Sequence, residues 1–457
     1  MKTKIQLTAL LLTVWLAAGT CVWAEEGDSG PEGLLRQLLF LVTGNESQQS
    51  EALGFLQTHW QADITPMVIE AASLIRPTSF AQELMQWLEQ KTGQHFGTDI
   101  DAWYHWLWNQ PPLVHPVYAD FKSELYRLLD PKFEHYFSAD RTTDIRLDEV
   151  RWGGVRQDGI PPLRYPKMIP AEAADYLDDD NIVFGFAING DVRAYPKRIL
   201  AWHEMFVDGI GGLPIAGVYC TLCGTVIPFV TEYEGVTHQL GTSGFLYRSN
   251  KLMYDQATQS LWNTLWGEPV IGPLADAEIR LERLYIVTTS WGEWRRRHPD
   301  TLVLSLDTGY RRDYSEGAAY RDYFATDELM FTVPTIDQRL KNKDEVLALI
   351  FDEYPDQPLA LAAGFLARNT LYTDRIGELD FIVLTDDSGA NRVYESNGLR
   401  FTQWDEQFTV IDEQGQAWTL SEDKLQSTDG RVLRRLPAHR AFWFGWYSAY
   451  PATRLVH

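Results

Sequence analysis

From Leu34 to about residue 135 the apolar positions recur at helical spacing. Leu34, Leu35, Leu38, Leu39 and Val42 fall on one face, the signature of a helix with a single buried stripe. Thr65-Pro66 reads as an N-cap followed by proline at the first helical position. Ser79 with Gln82 fits a capping box ahead of Leu84, Trp87 and Leu88. Further helices are expected at Asp99–Leu107 and Tyr118–Leu129. Near residue 145 the period changes from helical to alternating. Ile182–Ile188 is a run of strand formers, Asn189-Gly190 is a two-residue turn signal, and Asp191–Tyr195 is the returning strand. Pro196 opens a short helix that carries His203 and Glu204 and is expected to run to Val207, where Gly209 and Gly211-Gly212 end it. Leu213–Tyr219 reads as a buried strand, Glu234-Gly235 as a second hairpin turn, and strand patterns continue at Leu302–Leu306, Phe381–Leu384 and Ala441–Trp446. The pattern predicts an α+β protein. An N-terminal helical region (25–140) precedes a mainly antiparallel β-rich domain with a few helices (141–457).

Composition narrows the functional classes. A formal net charge of −23 over 457 residues excludes a phosphate-tracking surface, so nucleic acid is not an expected partner. Seventeen tryptophans and a hydrophobic fraction of 45% supply a large packed core. The aromatic cluster Trp103, Tyr104, Trp106 and Trp108 is therefore read as core rather than as a sugar platform. The first 24 residues have the form of a secretory signal: Lys2 and Lys4, an apolar stretch Ile5–Ala18, and Val22-Trp23-Ala24 before Glu25. That pattern predicts a periplasmic or extracellular protein that does not span the membrane after signal removal. A lipoprotein site at Cys21 is the alternative, with Thr20 unfavourable before it.

The candidate chemistry concentrates between Trp202 and Pro228. Cys220 and Cys223 form a C-x-x-C pair, the only thiols left once Cys21 is removed, and His203 lies upstream. Three readings stay open. Two thiolates and an imidazole suit zinc or copper, with a fourth ligand from Met205, Asp255 or His238; the Met205 thioether tilts the choice toward copper. Without metal, the pair can cycle between dithiol and disulfide, with His203 lowering the attacking thiol's pKa. In the third reading the cysteines are structural, and the chain is a binding or scaffold module whose helical region docks a protein partner. Tyr247, Arg248, Asn250 and Asp255 fall close together and are expected to line a small-molecule pocket beside the cysteines. Ser243 has no nucleophile elbow around it, Asp178–Asp180 fits no calcium loop, and Arg295–Arg297 reads as a solvated face.

Many separate motifs in one order resemble a known family. They are Asp158-Gly-Ile-Pro, Asn189-Gly-Asp-Val-Arg-Ala-Tyr-Pro, Trp202-His-Glu, Tyr219-Cys-Thr-Leu-Cys-Gly-Thr, Ser243-Gly-Phe-Leu-Tyr-Arg-Ser-Asn, Met253-Tyr-Asp, Ser260-Leu-Trp, Trp291-Gly-Glu-Trp, His298-Pro-Asp-Thr-Leu-Val-Leu-Ser, Arg312-Asp-Tyr and Phe442-Trp-Phe. The chain resembles the bacterial domain of unknown function 3179 over about two thirds of its length. The resemblance implies an exported bacterial protein and brings no activity with it. The family pattern has a histidine near the position of Tyr450, ahead of Pro451, so no role is carried over there.

Overall fold

The structure is a computed structural model and describes residues 30–457. The expected signal segment and Cys21 lie outside the described residues. Among the described residues, no helix is long and apolar enough to cross a membrane.

Six α-helices, Pro31–Thr43, Glu46–Thr58, Thr65–Leu74, Ser79–Thr92, Ile100–Trp108 and Tyr118–Arg127, make up the N-terminal region. Their apolar faces meet in one core that includes Leu38, Met67, Leu84, Trp103, Leu107 and Phe121. Each such fully buried side chain stabilises the fold by roughly 1.5–3 kcal/mol. Trp103 and Trp108 are buried here, and their indole N–H groups bond to the carbonyls of Gly97 and Asp148. Two caps sit one residue earlier than the sequence suggests. Thr78, not Ser79, accepts from the Ala81 N–H, and Thr65 is already helical, its hydroxyl turned back to the Ala62 carbonyl.

A buried ionic knot ties this region to the strands. Glu70 accepts hydrogen bonds from Tyr118 (2.8 Å) and Tyr126 (2.7 Å) and pairs with Lys122, whose ammonium also reaches the Val150 carbonyl at 2.7 Å. Burial lowers the Lys122 pKa while Glu70 opposes it. Beside it Phe245 projects from the first sheet into a nest of Tyr126, Phe133 and Phe137, with ring centroids 4.8–4.9 Å away.

The remainder is β-rich and mostly antiparallel, as the pattern predicted. One five-stranded sheet orders Val150–Trp152, Leu240–Tyr247, Asn250–Asp255, Leu261–Asn263 and Glu268–Ile271. A four-stranded sheet holds Leu163–Arg164, Met205–Ile210, Leu213–Cys220 and Thr225–Val230. The two share a core of Met205, Val218, Ile227, Met253 and Trp262. A third sheet contains the expected hairpin Ile182–Ile188 and Asp191–Pro196, with Asn189 and Gly190 at φ 49° and 83° as a two-residue hairpin turn requires. Parallel pairing is confined to short stretches such as Leu302–Val303 against Arg193–Ala194. Near the C-terminus five short strands from Phe401 to Arg434 form a meander.

The helix after Pro196 is shorter than expected. It covers Lys197–His203, and Glu204 takes a left-handed conformation (φ 54°) that stops it. Met205–Ile210 is a strand that turns at Gly211-Gly212 and pairs with Leu213–Cys220. Six residues, all but Gly209 buried, within a hairpin outweigh a weak helical tendency, because each then gains a ladder partner. Likewise only Ala441-Phe442 of the expected last strand is extended, at the end of the strand His439–Phe442, and Trp443–Ala449 is helical. Arg297 also departs from the solvated-face reading. Arg295 and Arg296 are largely exposed, whereas Arg297 is buried against Glu293 and Asp386, in a network that continues through Arg392 to Glu422.

Candidate functional site

The C-x-x-C motif is the loop of a hairpin. Cys220 ends the strand Leu213–Cys220 and pairs with Thr225; Thr221–Gly224 make the turn, closed by the Cys223 N–H on the Cys220 carbonyl at 3.2 Å. Both cysteines are free thiols and both are buried. The loop is held from every side. The Phe442 N–H donates to the Cys223 carbonyl at 2.7 Å, the Tyr323 hydroxyl donates to the Leu222 carbonyl at 2.8 Å, and the Cys223 thiol donates to the Ser249 carbonyl at 3.3 Å. Ser249 and Arg248 form a two-residue turn with φ 65° and 48°, costly for side chains other than glycine, and that turn is what aims the accepting carbonyl. Two glycines permit the close packing. A Cβ on Gly445 would lie 2.9 Å from the Cys223 Cβ, and one on Gly224 would lie 2.9 Å from the Phe442 ring.

The two thiols are not equivalent. Burial pushes the Cys223 thiol well up, and Cys220 and the Glu204 carboxylate push the same way. Burial and Glu204 also raise Cys220, but its contact with the Cys223 side chain and hydrogen bonds from the backbone of Lys251 and Cys223 leave it below the usual thiol range. Cys220 opens on a cavity of about 60 Å³, lined also by Glu204, Thr221, Lys251 and Tyr320 and roofed by Met330 and Phe331. That is the volume share of about two waters. Cys223 does not line it.

Glu204 organises the cavity floor. One carboxylate oxygen accepts from Thr221 Oγ1 at 2.5 Å and from the Tyr320 hydroxyl at 2.9 Å. The other forms an ion pair with the buried Lys251 ammonium, which lacks an aligned hydrogen bond to any group among the described residues. The roof belongs to an irregular segment, residues 306–344. It is anchored to the helical region by His105 on the Val333 carbonyl (3.0 Å) and by Asn109 on the Pro334 carbonyl (3.0 Å). Part of the helical surface is thus occupied by the chain's own roof.

Both ring nitrogens of His203 are engaged by groups other than the sulfurs. Its Nδ1 donates to the Pro161 carbonyl at 2.9 Å and its Nε2 accepts from the Tyr314 hydroxyl at 2.6 Å, which in turn meets Thr308 Oγ1 at 2.7 Å. Burial lowers the His203 pKa, Arg312 adds to the effect, and the ring stays neutral. Among the described residues, the single set of three His, Cys, Asp or Glu ligand atoms lying within 4.8 Å of one another is Glu293, Asp386 and Asp387, so His203 does not complete such a set with Cys220 and Cys223. Two of those acids already serve arginines. Met205 faces the core beside Val218 and Trp262.

The residues expected to line a pocket have other duties. Asn250 Nδ2 bonds to the Gly445 carbonyl at 3.2 Å and so holds the C-terminal segment against Cys223. One Asp255 oxygen collects the N–H groups of Ala257 and Thr258, while the other meets His238 at 3.3 Å; this is a turn cap. Tyr247 is buried against Trp266 with Arg248 over its ring. The Ser243 hydroxyl donates to the Leu252 carbonyl at 2.6 Å within a bulged strand. Sequence reasoning missed Lys251, Thr221 and Tyr320 altogether and saw Glu204 only as a residue near a helix end. The Trp202-His-Glu motif was the available signal, and its glutamate, not its histidine, reaches the thiols' cavity.

No curated protein and no solved structure shows significant similarity to the chain. Residues 157–453, which include every element of the thiol cavity except its Gly153–Val155 edge, match the family described as Protein of unknown function (DUF3179), and the chain belongs to that family.

Proposed function

We propose that this protein is a thiol–disulfide redox protein in which Cys220 attacks and Cys223 resolves. The observation that carries this reading is the asymmetry of the pair. Cys220 lines the cavity, and Cys223 lies behind it with its thiol hydrogen-bonded to the Ser249 carbonyl. In the oxidising direction the Cys220 thiolate attacks one sulfur of a small disulfide. A mixed disulfide forms and one thiolate leaves. The Cys223 thiol then loses its proton and attacks the Cys220 sulfur, releasing the second thiolate and closing the Cys220–Cys223 disulfide. The protein loses two electrons and two protons, and the substrate disulfide becomes two thiols. Lys251 lines the same cavity as Cys220, and its backbone bonds to the Cys220 sulfur, which supports the attacking thiolate. An exported location, inferred from Lys2 to Ala24, would supply the oxidising surroundings.

Dithiodipyridine, whose reduction releases a coloured thione, tests the order of attack. The wild-type protein should release two equivalents and end with an internal disulfide. The Cys223→Ser variant should release one and keep a mixed disulfide on Cys220, and Cys220→Ser should react slowest. Faster modification of Cys223 than of Cys220 would sink the reading.

A soft metal is the second reading, and two adjacent buried sulfurs on one turn favour it. Copper or zinc on Cys220, Cys223, His203 and Met205 draws less support, since both His203 nitrogens are engaged and Met205 packs elsewhere. Two thiolates alone suit copper(I). One equivalent of copper in protein purified from its native compartment, lost on Cys220→Ser and Cys223→Ser substitution, would favour this second reading over the first.

A further inference from the structure

On the opposite side of the C-x-x-C hairpin from the thiol cavity lies a second, larger cavity of about 170 Å³. Tyr219 precedes Cys220 on the same strand, and successive strand residues point to opposite faces, so the hairpin presents a thiol to one cavity and a phenol to the other. The Tyr219 hydroxyl is buried and has no partner among the described residues, and the hydroxyl of Thr288, on the strand Val287–Ser290, is in the same condition. Buried polar groups are ordinarily satisfied, so two orphan hydroxyls lining one cavity point to an absent partner there. Lys197 also lines the cavity. Among the described residues no carboxylate lies within ion-pair distance of its ammonium, which rests over the Phe324 ring at 4.8 Å. The other cation, Arg440, is fully engaged by Glu345, Asn391 and the Gly389 carbonyl. One positive charge is therefore left over, in a chain whose net charge is −23. The Phe184 and Phe442 rings supply an apolar wall.

We infer that this cavity binds a small monocarboxylate. Lys197 meets its charge, Tyr219 and Thr288 donate to its oxygens, and the phenylalanines cover a short carbon chain. A single negative charge balances Lys197, whereas a doubly charged phosphate would also face the Glu345 carboxylate at the rim. The volume equals the share of about six waters, which suits an acid of a few carbons.

Saturation-transfer NMR on the full chain, with acetate, lactate and 3-hydroxybutyrate at millimolar concentration, tests the assignment. At least one acid should receive saturation, and its neutral amide should not. Lys197→Met should weaken binding by about tenfold or more, as loss of a charge-assisted bond does, and the near-isosteric Thr288→Val should weaken it severalfold. The Cys220→Ser, Cys223→Ser protein should bind as the wild type does. Absence of transfer to all three acids, equal transfer to acid and amide, or binding unchanged in both Lys197→Met and Thr288→Val would overturn the inference.

Discussion

His439 offers a quantitative test of how tightly the C-terminal wall of the thiol site is packed. It sits on the strand His439–Phe442 opposite Ala348, 6% exposed, edge-on to Trp446, with its Nε2 lacking a partner among the described residues. Burial, with the Arg283 guanidinium acting in the same direction, pushes its pKa down from 6.5 to about 3. The folded state therefore favours the neutral ring. Above the unfolded pKa neither state is protonated and the residue costs nothing. As pH falls below about 6.5 the unfolded chain binds a proton that the folded chain refuses, and stability is lost progressively down to about pH 3. At 1.36 kcal/mol per unit the complete effect is about 5 kcal/mol, and between about pH 7.5 and about pH 5 it is about 2 kcal/mol. The same strand ends at Phe442, whose N–H holds the Cys223 carbonyl, so this residue's acid sensitivity bears on the strand that walls the site. Urea unfolding followed by tryptophan fluorescence at both pH values, on wild type and His439→Phe, isolates the contribution from all other titrating groups. The wild type should lose about 2 kcal/mol more than the variant over that interval. The ring's NMR titration should show no midpoint between about pH 5 and about pH 8. A midpoint near the ordinary histidine value, or equal acid sensitivity of the two proteins, would refute the reasoning.

Two further expectations concern the thiol cavity. Glu204→Gln leaves the Lys251 ammonium buried without its counter-ion, which should cost about 3–5 kcal/mol, partly restored by adding Lys251→Met; a loss below about 1 kcal/mol would show the pair to be solvated. Because Glu204 raises both thiol pKa values, thiolate absorbance in Glu204→Gln should appear at lower pH than in wild type. Gly445→Ala places a Cβ 2.9 Å from that of Cys223 and should cost about 1–3 kcal/mol, whereas Gly54→Ala, on an exposed helix face with open space, should gain about 0.5–1 kcal/mol. Thermal unfolding that ranks the two glycine variants the other way round would contradict the packing described around Cys223.

Much of the architecture was readable from local pattern. The period of the apolar residues determined where helices give way to strands, since an amphipathic stripe and a pleated face need different spacings. Asn189-Gly190 determined a hairpin because few residue pairs tolerate positive φ twice in succession. The C-x-x-C spacing likewise determined that two sulfurs would share one turn. What surrounds those sulfurs was a tertiary matter. The sequence pattern carried the helix after Pro196 through to Val207, yet the left-handed Glu204 ends it early. The pairing of Met205–Ile210 with Leu213–Cys220 then draws Glu204, rather than His203, up to the thiols. Lys251 and Tyr320 arrive from other elements, and the Tyr320 bond to Glu204 spans 116 residues. Nothing local encodes such a meeting. Side-chain alternation tells which residues share a face, but which face meets which is settled by burial of the whole core, where every strand register competes at once. His203, the residue that spacing singled out, was claimed by Pro161 and Tyr314, which hydrogen-bond both of its nitrogens where the ring lies.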